Sequence, residues 1–185
     1  MKKYLIIDTS STDSAICLLL DEKRSIEIPL PQTNQTKELI PMIKKLLEEH
    51  QLDIKELSGI GICTGPGLFT GTRVGVMTAK ALSYGSDIPL FPFSSFDLFE
   101  EKGSFAIIDA KCQRAHLFHD NEIKLIDYNT LSTIFEPIYV LEKEPFKGLP
   151  IELILSKKNY NNLYVLFQNS LPQTHDRVTI HYNTL

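Results

Sequence analysis

Two aspartates and one glycine-rich loop are the residues in this chain best suited to chemistry. Tyr4-Leu5-Ile6-Ile7-Asp8 is an apolar run closed by a carboxylate, with Thr9, Ser10 and Ser11 directly behind it. A carboxylate so placed can hold a hydrated magnesium ion or bond to its own turn. Ser104 to Asp109 repeats the pattern. The stretch GPGLFTGTRVG, Gly65 to Gly75, puts a turn in front of a helix. Pro66 has no N–H, and Gly65 and Gly67 permit the positive φ of a sharp turn. Thr70 or Thr72 could cap the helix, whose first N–H groups attract anions. Gly65, Pro66, Gly67, Phe69, Thr70, Gly71 and Arg73 thus form either an anion cradle or a tight connection whose small residues serve packing. The loop lacks the Gly-Lys-Ser/Thr ending of a P-loop and the dinucleotide spacing, which favours packing.

The other reactive side chains are scattered. His116 and His119 stand three apart on an expected strand, which sends them to opposite faces, and His50, His175 and His181 are isolated. No HExxH pattern supplies a metal pair, and no metal is expected. Ser10, Ser11, Ser94 and Ser95 lack a Gly-x-Ser-x-Gly elbow, so a hydrolase triad has no positive support. Cys17 and Cys63 lie in apolar runs and, with Cys112, read as reduced thiols of a cytoplasmic protein. A formal charge of −4 gives no general attraction for nucleic acid, so any role in RNA chemistry would run through a partner. The first apolar run stops at Asp8, too soon for an export signal, and no stretch is long enough to span a membrane.

Positioning these residues requires an α/β fold used twice. Strands are expected at Tyr4 to Asp8, Ala15 to Leu20 and Ser25 to Leu30, and again at Ser104 to Asp109, Arg114 to His119 and Ile123 to Tyr128. Asn34 to His50 reads as an amphipathic helix kinked at Pro41, with Leu39, Met42, Ile43, Leu46 and Leu47 on one face. A strand at Gly59 to Cys63 leads into a helix from Thr72 to Tyr84. A short strand at Pro89 to Phe91 and a short helix at Ser95 to Glu101 follow. In the long helix Gly71, Gly75, Ala79 and Ser83 recur every four residues, a small stripe to which another backbone can come close. Val74, Val76, Met77 and Leu82 are expected to cover the sheet and leave that stripe for another helix. Beyond the second meander, Pro137 to Pro150 reads as connection and Asn159 to Asn169 as a helix.

A duplicated βββαβα lobe with an aspartate closing each first strand resembles the actin, sugar-kinase and Hsp70 (ASKHA) superfamily, here with a reduced second lobe. The expected lobes are 1–102 and 103–185. IIDTSS, LIPMIKKLL, GPGLFTGTRVG with AKAL, PFSSFDLF and IIDAKCQRAHLF, from Lys3 to about Phe118, together resemble the TsaB (YeaZ) family. That family is the non-catalytic partner in bacterial tRNA threonylcarbamoyladenosine synthesis. The resemblance implies a cytoplasmic scaffold that docks on a TsaD-like catalytic subunit through a four-helix bundle and offers surface to a TsaE-like ATPase, with tRNA held only through the complex. It leaves homodimerisation of the isolated chain open. Leu39, Met42, Ile43, Leu46 and the stripe Gly71, Gly75, Ala79 and Ser83 would form the interface, and Asp8, Ser10 and Asp109 a vestigial nucleotide site. The catalytic family's metal-binding histidines would fall at Ser95 and Phe99, which cannot replace them. Lys111 could meet a phosphate, but side chains crowd its loop, and no cofactor is expected. Leu68 and Gln35-Thr36 depart from the serine and the His-Ser pair common in the family. An ATP-dependent kinase or phosphatase of the same fold is the alternative, followed by a glycoprotease-like peptidase.

Overall fold

The structure, a computed structural model, describes residues 2–180. Two compact units divide them: residues 2–95 with 160–180, and residues 96–159. His181 lies outside the described residues. The first unit holds β1 (Tyr4–Asp8), β2 (Ala15–Leu19), β3 (Ser25–Pro29), α1 (Gln35–Glu49), β4 (Gly59–Cys63), α2 (Phe69–Ser86) and β5 (Leu90–Phe93). Its sheet runs β3-β2-β1-β4-β5, with β1, β4 and β5 parallel and β2 and β3 antiparallel. Every residue of β1, β2 and β4 is buried. Continuous apolar strands of this kind arise where both faces of a sheet are covered.

One face carries the helices. Leu5 and Ile7, Ile16 and Leu18, and Ile60 and Ile62 share a core with Leu39, Ile43 and Leu46 of α1 and Val76 and Ala79 of α2. α1 continues through Pro41, which is exposed. The chain after residue 159 supplies the other cover through α4 (Asn162–Asn169), after the second unit's α3 (Tyr128–Leu131). Register puts Ile6 beside Cys17 and Gly61. A side chain at Gly61 would meet the Phe167 ring at 2.6 Å, so this glycine is the floor of the α4 seat. Tyr4, Phe91 and Phe93 complete an aromatic cluster around Phe167.

The second unit contains β6 (Phe105–Lys111), β7 (Arg114–His119), β8 (Glu122–Asp127), α3, β9 (Ile138–Val140) and β10 (Leu153–Leu155). Its order β10-β9-β6-β7-β8 matches β5-β4-β1-β2-β3 element for element, so the duplication is real. The reduction lies in the crossovers: helices of 15 and 18 residues in the first unit are replaced by the 4-residue α3 and a 3-residue 3₁₀ turn. Asp120 and Asn121, both left-handed with φ 51° and 61°, make the two-residue turn that joins β7 to β8.

Several expectations need correction. The units part at residues 95 and 96 rather than 102 and 103, and residues 160–180 pack with the first unit because Tyr160, Leu163 and Phe167 are buried there. Residues 137–150 hold β9 and a 3₁₀ turn as well as connection. α2 begins at Phe69, three residues before the expected start, so Phe69 and Thr70 form its first turn. Ser95–Leu98 is a 3₁₀ turn.

Candidate functional site

Asp8 ends β1 with its carboxylate fully buried. The Ser10 backbone N–H and hydroxyl donate to Oδ1 at 3.0 and 2.6 Å, and the Tyr160 hydroxyl donates to Oδ2 at 3.0 Å. A buried carboxylate without such donors would be costly, and three are supplied from within the unit. Ser95 extends the network: its hydroxyl donates to the Pro66 carbonyl at 2.7 Å and lies 3.2 Å from the Ser10 hydroxyl and 3.1 Å from Cys63 Sγ. Burial, then the nearby Asp8 charge, pushes the Cys63 thiol up to about 12, which removes it as a nucleophile near neutral pH. Burial and the same carboxylate drive the Tyr160 phenol far above its ordinary range. The Ser10 and Ser95 hydroxyls are committed to a buried polar cluster in which Ser10 bonds directly to Asp8.

The glycine-rich loop lies against the turn after β1. Leu68 N–H donates to the Ser10 carbonyl at 2.6 Å, and the Thr9 hydroxyl to the Gly71 carbonyl at 2.7 Å. A Cβ on Gly67 would collide with the Ser10 carbonyl, one on Gly71 with the Thr9 carbonyl, and one on Gly75 with the Thr9 hydroxyl. Gly65, at φ 97°, makes the turn, and Pro66 follows it. Close approach to Thr9 and Ser10 is therefore what these small residues permit. Thr70 and Thr72 do not cap α2. Leu68 stands at the cap, and the Thr72 hydroxyl donates back to the Leu68 carbonyl at 2.9 Å. The first turns of α1 and α2 border an open groove of about 510 Å³ lined by Ser11, Thr12, Gln32, Gln35, Thr36 and residues 68–71 and 74. Beside it the Arg73 guanidinium sits 3.7 Å over the Phe69 ring.

The expected interface turns inward. Leu39, Ile43 and Leu46 are core residues, and Met42 packs against the same core. Gly71 and Gly75 sit on Thr9, Ala79 is in the core, and the buried Ser83 hydroxyl donates to the Ile88 carbonyl at 2.6 Å. The stripe does bring a backbone close, but that backbone is the chain's own, at Thr9 in the turn after β1. Of the four residues expected to cover the sheet, only Val76 is fully buried; Val74 and Leu82 pack at the sides and Met77 is 64% exposed. On these two helices the large apolar side chains left exposed among the described residues are Phe69, Met77 and Tyr84 of α2 and Ile40 of α1. With Arg73 and Ala81, also exposed, residues 69, 73, 77, 81 and 84 follow one helical row.

In the second unit Asp109 occupies the place equivalent to Asp8. Its surroundings differ. Burial pushes its carboxyl up, but hydrogen bonds from the Lys111 side chain and backbone, the Lys111 charge and the Tyr128 hydroxyl outweigh that and hold it below its ordinary value. Lys111 Nζ is 2.6 Å from Oδ2, and Lys111 N and the Tyr128 hydroxyl lie 2.8 and 3.1 Å from Oδ1. Lys111, Cys112 and Gln113 are consecutive left-handed residues, and all three are exposed. His116 and His119 do lie on opposite faces: His116 pairs with Ile108, while His119 stacks on Phe105 at 4.1 Å. Phe99 stacks on Phe96 at 5.6 Å inside this unit. Tyr128 and Tyr160 were not singled out from the sequence; each bonds to an aspartate on a remote strand, and no spacing rule marks them.

Comparison with known proteins places these features among relatives. The sequence model of the family described as TsaD, tRNA N6-adenosine threonylcarbamoyltransferase, matches residues 30–140. The chain is 31% identical over 120 residues to the tRNA threonylcarbamoyladenosine biosynthesis protein TsaB of Haemophilus influenzae, covering 60% of this chain and 51% of that protein. It is 34% identical over 100 residues to the TsaB of Bacillus subtilis, covering 54% and 44%. The matched region thus spans about half the length of these curated relatives. The fold is similar to the solved structure of YeaZ from Pseudomonas aeruginosa, with TM-score 0.77 at 18% identity over 98% of this chain and all of that one.

Proposed function

This chain belongs to the TsaD-related family, on its TsaB (YeaZ) side, and from that premise we propose that it is a non-catalytic partner subunit in tRNA threonylcarbamoyladenosine synthesis. It docks on a TsaD-like catalytic subunit and holds that subunit in its working form. A TsaE-like ATPase joins the assembly, tRNA is held through the complex, and the work takes place in the cytoplasm. The observation that carries the reading is the outward row of α2, with Met77 64% and Tyr84 75% exposed, together with the exposure of Ile40 on α1 at 47%. Apolar side chains gathered on one helix pair are the kind of surface that a second helix pair covers, and burying a Met, an Ile and an aromatic ring contributes several kcal/mol, at about 25 cal/mol per Å². The inner stripe is already occupied by Thr9, so docking falls to this outer row. Absence of catalysis is supported by Asp8, whose oxygens receive Ser10 and Tyr160, and by Asp109, whose oxygens receive Lys111 and Tyr128.

Co-expression with its genome's TsaD-like protein, followed by affinity capture and mass spectrometry, tests the reading. A stable complex from wild type that is lost with Met77→Glu supports it. Capture without the TsaD-like protein, together with ATP turnover by the isolated chain, favours the kinase or phosphatase alternative. If the chain self-associates when alone, the same substitution should release monomers.

A further inference from the structure

The last described segment, residues 160–180, is joined to the first unit in an unusual way. It runs over one face of the sheet and then around its β5 edge. Tyr160 bonds to Asp8, and Leu163 and Phe167 fill the hollow above Gly61. Gln173 then pairs reciprocally with Leu90, N–H to carbonyl at 2.9 and 2.8 Å, which covers the open edge of β5. His175 meets the Tyr84 ring at 5.0 Å, and Val178 ends in the core on the helix side. α4 has only eight residues and no side-chain cap at its N-terminus, too little to be stable by itself. Leu171, between its two anchorages, is 89% exposed. Beneath the segment, strand alternation puts Cys17 and Cys63 on the same face as Ile6, Gly61 and Asp8. Both thiols lie close enough to Tyr160 to act on its ionisation.

We propose that residues 160–173 form a strap that opens as a unit separate from the rest of the first unit, and that the closed strap keeps Asp8, Cys17 and Cys63 out of water. Three side-chain anchors, two backbone hydrogen bonds to β5 and a short helix that depends on its seat are the features of a segment that opens cooperatively. The β1–β4 sheet, α1 and α2 share a core that the end of the segment joins through Val178 and Ile180, and this core stays folded when residues 160–173 lift. The proposal stands apart from the partner reading, since α4 and its seat at Gly61 lie on the face of the sheet opposite α1 and α2, and the segment reaches the docking row only where His175 meets Tyr84.

The test uses the full chain carrying Cys112→Ser, which removes the one exposed thiol. Native-state reaction of Cys17 and Cys63 with a disulfide reagent is followed beside hydrogen exchange of β1. Phe167→Ala acts on the strap and should speed thiol reaction by about a hundredfold or more. Tyr160→Phe, a milder change that keeps the ring, should speed it in the same direction. Ile43→Val weakens only the helix-side core: it should speed β1 exchange by roughly two- to tenfold and leave thiol reaction unchanged. Equal acceleration of thiol reaction and β1 exchange by Ile43→Val would show that the segment opens only when everything unfolds, and the strap would be wrong. So would thiol rates unmoved by both strap variants.

Discussion

Replacing Gly71 by alanine adds one methyl group on the inner row of α2, where the structure leaves it no space. The added Cβ would overlap the Thr9 carbonyl oxygen and come within 3.7 Å of Leu68 Cβ. A backbone oxygen cannot rotate aside, so the helix start must lift. Overpacking of this kind costs about 1–3 kcal/mol. Lifting also strains the Thr9 hydroxyl bond to the Gly71 carbonyl, worth about 0.5–1.5 kcal/mol, while alanine returns about 1 kcal/mol of helix propensity. The net is a destabilisation of about 1–3 kcal/mol, or a fall of roughly 2–12 °C in melting temperature for a chain of this size. Gly85, in the same helix, is the internal control: an added Cβ there meets nothing within 4 Å. Gly85→Ala should therefore stabilise by about 0.5–1 kcal/mol. Circular-dichroism melts of the two variants beside wild type give opposite signs if α2 is seated on Thr9. Equal tolerance of both substitutions, or a raised melting temperature for Gly71→Ala, would refute the seating and return the small stripe to the outside.

Asp109 gives a pH prediction. Its carboxyl is held below its ordinary value of 3.8, so the stability it contributes is fully present above that value and is lost as pH falls through the lower folded value. Asp109→Asn should lower stability near neutral pH and flatten the acid side of the curve below pH 3.8, measured by urea unfolding; an unchanged acid limb would contradict the Lys111 and Tyr128 arrangement. Calorimetry with ATP and magnesium should show no binding to the isolated chain, and a tight isotherm would restore the enzyme alternative. With a formal charge of −4 the isolated chain should bind tRNA weakly at physiological salt, checked by filter binding with and without the TsaD-like subunit. Submicromolar binding by the chain alone would undo the division of labour proposed for the complex.

The two meanders were legible because apolar runs ending at Asp8 and Asp109 and the alternation after them are local signals. The long helices showed in their period for the same reason. The direction of the α2 stripe was not legible: small residues every four positions say that a backbone comes close, but not which one. Here Thr9 supplies it, from the turn after β1. The bonds of Tyr160 to Asp8 and of Tyr128 to Asp109 join residues 152 and 19 positions apart, beyond the reach of periodicity. β9 and β10 have three residues each, shorter than the alternation needed to separate a strand from connection. Packing of residues 160–180 with the first unit likewise depends on Gly61 and Phe167 meeting, a contact that neither segment announces alone.

The most direct test of the account is the affinity of the purified chain for its TsaD-like partner, measured by titration calorimetry for wild type, Met77→Glu and Gly71→Ala. Placing a charge at Met77 should weaken binding by at least about tenfold while the melting temperature stays within a degree or two of wild type, since exposed substitutions change stability by about 0.5 kcal/mol or less. Gly71→Ala should lose melting temperature first. Unchanged affinity for Met77→Glu, or no binding by wild type at all, would contradict the account.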